Sequence, residues 1–126
     1  KKYKVTDYQL ENSDYAKFFD EASYFWEKDP EANLMFLRDQ QVLANENLVK
    51  NGYLFLNTVY KMLGIPETEA GKVVGWVYDE NNPIGDNYVD FGIYDPHKEK
   101  NRDFVNGYER SIILDFNVDG YILDKI

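Results

Sequence analysis

The apolar residues change their spacing near Gly64-Ile65-Pro66, and that change restricts the folds open to this chain. Before it, apolar side chains recur every three or four residues, the period of a helix with one buried face. After it they alternate, the period of a strand. Residues 14–28 bring Tyr15, Phe18, Phe19, Ala22, Phe25 and Trp26 to one side, with Ser13 as cap, and predict an amphipathic helix. Asp29-Pro30 then starts a second, long helix that meets no breaker before Gly52. Its apolar face is wide, with Leu34, Leu37, Ala44 and Leu48 flanked by Met35 and Val42, and so calls for two neighbours. A third helix over residues 54–63 presents Phe55, Val59 and Met62 and is closed by Gly64 and Pro66.

Residues 73–78 read as a strand, and residues 88–94 as its antiparallel partner. In the second, Val89, Phe91 and Ile93 share one face, while Tyr88, Asp90 and Tyr94 share the other. Residues 79–87 form the connecting loop, and the charged residues 95–103 a mobile one. From Ser111, Ile112, Leu114, Phe116 and Val118 face inward until Asp119-Gly120 turns the chain into a closing strand, 121–123. The expectation is an α+β fold: an N-terminal three-helix layer packed on a C-terminal antiparallel β-sheet of about four strands, in one domain.

Composition narrows the chemistry. A chain of 126 residues, 44% apolar and 17% aromatic, has material for one core. No cysteine is present, which removes disulfides, thiolate nucleophiles and cysteine metal sites. His97 is the single histidine, and it lies in the charged stretch, where a solvated loop residue is expected. A net charge of −9 argues against direct nucleic-acid binding, which needs basic side chains. No apolar run has the length of a bilayer span, so no membrane contact by this segment is expected. The start at Lys1 suggests a piece of a longer protein, and the apolar Tyr121-Ile122-Leu123 a natural end.

Two constellations could carry chemistry. Asp115, Asn117, Asp119 and Gly120 take the spacing of the first half of a calcium-binding loop, with apolar Ile122 in register. The position that should supply a bidentate glutamate is Ile126, and a hairpin turning at Asp119-Gly120 accounts for the same residues without a missing ligand. Asp90, Glu109 and Asp115 are the candidates for carboxylate catalysis or metal-assisted hydrolysis, bordered by Tyr88 and Tyr94 as a contact surface. No phosphate loop and no cofactor is indicated. Trp26 and Trp76 read as core anchors, while the eleven tyrosines exceed what a core must hold and place some aromatic surface outside.

The segments Asn33-Leu34-Met35-Phe36-Leu37-Arg38, the stretch from Leu56-Asn57 to Leu63-Gly64, Val73-Val74-Gly75-Trp76, Val89-Asp90-Phe91-Gly92, Phe104-Val105-Asn106-Gly107-Tyr108-Glu109 and Leu114-Asp115-Phe116-Asn117-Val118-Asp119-Gly120 carry a family likeness. With them the chain resembles the C-terminal domain of a family of unknown function encoded in bacteriophages and prophages of Gram-positive bacteria. The resemblance implies no catalytic residue. It implies an apolar segment upstream that would anchor the protein, making this the soluble head of a membrane-associated or particle-attached phage protein. The expected role is a non-enzymatic structural or protein-interaction module that binds a protein partner or itself. The alternatives are a carboxylate or metal-dependent hydrolase using Asp90, Glu109 and Asp115, and an acidic inhibitor of a host nucleic-acid enzyme.

Overall fold

The computed structural model describes residues 13–126. Among these, three α-helices combine with two small antiparallel sheets, of two and three strands, in a mixed α/β fold. The expected division into a helical layer and a four-strand sheet is not what forms.

Helix α1, Pro30–Asn51, starts and stops where its end residues direct. Asp29 Oδ1 accepts from the amides of Glu31 and Ala32 at 3.0 and 3.3 Å, satisfying donors that have no partner within the helix. Gly52 ends it at φ 84°, a left-handed conformation that glycine takes without a Cβ clash, and its N–H donates to Leu48 O. The face with Asn33, Leu37, Ala44 and Leu48 is buried. Helix α2, Leu56–Leu63, begins later than the periodicity suggests, because Tyr53–Phe55 is drawn out as strand β2. It ends at Gly64 as expected.

Strand β3, Val74–Val77, is buried throughout and lies between β2 and β5, Gly120–Tyr121. Gly75 permits this pairing, since a Cβ there would lie 2.0 Å from Leu54 O. The second sheet joins β1, Lys17–Phe19, to β4, Ile112–Leu114, with Phe19 opposite Ile112 and Phe18 opposite Ile113. Both sheets close over one core that includes Trp76, Tyr60, Phe91, Phe104 and Phe116. Phe116 packs edge-on against Tyr60 and Phe91.

Four expectations are corrected. Residues 14–28 form β1 and turns in place of a helix. Asp20 and Ser23 bond nearby backbone, with Ala22 N donating to Asp20 Oδ1 and Asp20 N to Ser23 Oγ, and Phe19 gains a strand partner. Residues 88–94 are not a strand, so the hairpin with β3 does not exist; β3 already has a neighbour on each side. The charged stretch contains helix α3, Glu99–Val105, anchored by buried Asn101 and Phe104. Its entry is held by Asp95, which accepts from His97 N and pairs with Lys98 at 2.8 Å; the Lys98 bond holds the Asp95 carboxyl below its ordinary range. Finally, β4 and β5 lie in different sheets, so Asp119-Gly120 does not turn a hairpin.

Candidate functional site

The acidic candidates are dispersed over structural tasks. Asp115 accepts from both N and Oγ of Ser13, at 3.1 and 2.6 Å, so the residue read as a helix cap instead ties the 13–16 turn to the far end of the chain. Asp90 is exposed and its Oδ1 accepts from Gly92 N two residues on. Glu109 pairs with Lys100 at 3.1 Å in an open depression that Phe18, Asp20, Trp26 and Tyr108 also line. Neither Asp90 nor Asp115 lines that depression.

Asp115, Asn117 and Asp119 likewise take separate partners. Asn117 Oδ1 accepts from Trp76 Nε1 at 2.9 Å and from Asp90 N at 2.7 Å, while its Nδ2 donates to Asp86 and to Tyr88 O. Asp119 Oδ2 accepts from Val77 N at 2.8 Å, extending the edge of β3 with a side chain. Partial burial pushes the Asp119 carboxyl above its ordinary range, the Val77 amide opposes the shift, and the nearby Asp86 charge adds to it. Among the described residues no three of His, Cys, Asp and Glu are grouped to hold a metal ion.

The outward face of α1 is organised differently. Met35, Val42 and Val49 recur at every seventh residue and are 59%, 57% and 53% exposed. At about 100° per residue they fall within about 20° of one line, diametrically opposite the buried side of the helix. Arg38 and Glu46, both exposed, lie within about 40° of the same line, and neither has an ion-pair partner among the described residues. A shallow depression lined by Val42, Asn45, Glu46 and Val49 runs beside this stripe. The wide apolar face of this helix meets β2, α2 and α3 within the described chain, whereas the stripe of Met35, Val42 and Val49 stays uncovered. Tyr24 and Tyr108 are the most exposed large apolar side chains among the described residues, at 83% each.

A set of residues with a role unforeseen from the sequence is the asparagines. Asn33, Asn45, Asn57 and Asn87 each use Oδ1 and Nδ2 to bond both backbone groups of one residue: Glu27, Val89, Thr68 and Asp79 respectively. A carboxamide has the same donor and acceptor as a peptide unit and can stand in for a neighbouring strand. For Asn33, Asn45 and Asn57 the available signal is Asn within a helix, where it is a poor helix former; Asn87 lies in a loop and gives no such signal.

Among the described residues no helix is long and apolar enough to cross a membrane. Residues 1–126 match the model of a family of unknown function, DUF6353, and the chain belongs to that family. Comparison with curated proteins and with solved structures gave no match.

Proposed function

We propose that this member of the family is a non-enzymatic protein-interaction or structural module of phage or prophage origin, and that its contact face is the outward side of α1. The origin rests on the resemblance of the segments named above. The contact face rests on one observation: three half-exposed apolar side chains aligned opposite the core of a 22-residue helix. Scattered surface apolar residues are ordinary. Three at a seven-residue repeat form a seam, and covering each would remove apolar area worth about 25 cal/mol per Å². The hydrolase alternative draws less support, since Asp115 and Glu109 are each engaged by a different partner.

The test is site-specific photo-crosslinking in the native host. A photoreactive residue at Val42 is expected to give a discrete protein adduct, and one at exposed Lys72 to give none. No adduct at Val42, or the same adducts at both positions, would overturn the assignment.

A further inference from the structure

We infer that the occupant of the α1 face is a second copy of this chain, bound antiparallel about a two-fold axis through Val42. The inference rests on the reading of that face as the contact surface and names its partner. The argument is self-complementarity. An isologous contact requires that a patch match its own rotated image. With Val42 on the axis, each residue before it meets the residue equally far beyond it on the other copy. Met35 then faces Val49, Val42 faces its own equivalent, and Arg38 faces Glu46 on both sides of the axis. Every apolar residue of the stripe meets an apolar one, Arg38 and Glu46 meet their opposites, and the exposed Asp39 faces the neutral Asn45.

Other registers lose this match. A parallel pair sets Arg38 against Arg38 and Glu46 against Glu46, which is repulsive at the spacing of neighbouring side chains. Moving the axis half a repeat towards Val49 still pairs Val42 with Val49, but it takes Glu46 away from Arg38. The charges therefore favour the antiparallel direction, and the apolar residues supply the attraction. The core side of the helix is unaffected, because Leu37, Ala44 and Leu48 are fully buried within the chain. A single pair of helix faces is a small interface, so the association is expected to be weak and concentration-dependent.

Sedimentation velocity of the whole chain over a concentration series tests this. The weight-average mass is expected to climb from monomer to dimer and stop there. Val42→Asp is expected to hold the protein as a monomer. Arg38→Glu and Glu46→Arg are each expected to weaken association about tenfold, since each single reversal creates like-charge contacts on both sides of the axis. The double reversal is expected to return the dimer to the strength of the unmutated chain. Far-ultraviolet circular dichroism unchanged in all four variants shows that the exposed substitutions leave the fold intact.

A monomer at every concentration overturns the inference, and so does a dimer that the double reversal fails to restore. A strict monomer whose Val42 crosslinks to a different protein overturns self-association and leaves the contact-face reading standing. A strict monomer with no Val42 adduct removes both.

Discussion

Strand β3 and residues 88–92 both carry a core aromatic, Trp76 in one and Phe91 in the other, yet their backbones are held by different means. β3 is bonded to the backbone of β2 and β5. In residues 88–92, Val89 is clamped by Asn45, Phe91 N donates to Gln41, Asp90 N donates to Asn117, and Gly92 O accepts from Asn101. Among the described residues, only Asn117 N and Asp115 N reach it from another backbone, at the carbonyls of Asp90 and Phe91. Alternating burial therefore reports which face of a segment is covered, not what its amides bond. Buried backbone groups need partners in either case, but a ladder survives most side-chain changes, and this segment depends on four named carboxamides.

Asn101 is where breaking that dependence should cost most. Its Nδ2 faces the carbonyls of Gly92, Ile93 and Ile113, at 2.9, 3.4 and 3.2 Å, in a site 1% exposed, and its Oδ1 is buried with no partner among the described residues. Asn101→Asp sets an acceptor-only group against three acceptors, and an uncompensated buried charge costs about 3–5 kcal/mol. Urea unfolding at neutral pH should show a loss of that size; a midpoint equal to that of the unmutated protein would mean these carbonyls need no donor.

A smaller change sharpens the contrast between the two regions. Asn45→Ala strips both partners from Val89, which is 1% exposed, and should cost about 1–3 kcal/mol. Hydrogen exchange should accelerate at the amides of Val89 and Phe91 while those of Val74–Val77 keep their protection relative to global unfolding. Equal acceleration in both would show that the segment and the sheet open as one unit.

The smallest effect is expected at Asp119, where a carboxylate caps the edge of β3. Its pKa is raised in the fold from the ordinary 3.8, so the folded state holds the proton more tightly than the unfolded chain does. That contribution to stability is present below the unfolded value and lost as pH rises through the folded one. Asp119→Asn keeps an oxygen for Val77 N and removes the charge beside Asp86. Thermal melts should show the variant slightly more stable near neutral pH, by less than about 0.5 kcal/mol, with the advantage vanishing in acid. A variant less stable at pH 7 than at pH 3, relative to the unmutated chain, would reverse the sign.

The sequence announces elements whose ends are set locally. Asp29, Pro30 and Gly52 bound α1, and Gly64 closes α2, because caps and left-handed glycines act within a few residues. It conceals what depends on distant partners. Phe18 and Phe19 have helical spacing with Phe25 and Trp26, but their pairing with Ile113 and Ile112 lies more than ninety positions away. Residues 95–103 look like solvated loop, yet from Glu99 the chain is helical, with Asn101 and Phe104 buried beneath it. At the candidate surface, Met35 and Val42 are legible as the flank of a wide apolar face, and Val49 completes their seven-residue repeat; β2, α2 and α3 cover that face and leave the stripe exposed. The asparagine clamps were not legible, since nothing in the spacing of Asn45 points to Val89.

One bond described above gives this protein an internal optical label. Trp76 is fully buried and its indole N–H donates to Asn117, the residue that also holds Tyr88 and Asp90, whereas half-buried Trp26 donates to Arg110 O near the other end of the chain. Detaching residues 88–92 from Asn117 changes the surroundings of one indole and leaves the other untouched, so a Trp26→Phe protein would register that event as a wavelength shift in emission while its sheets are still intact.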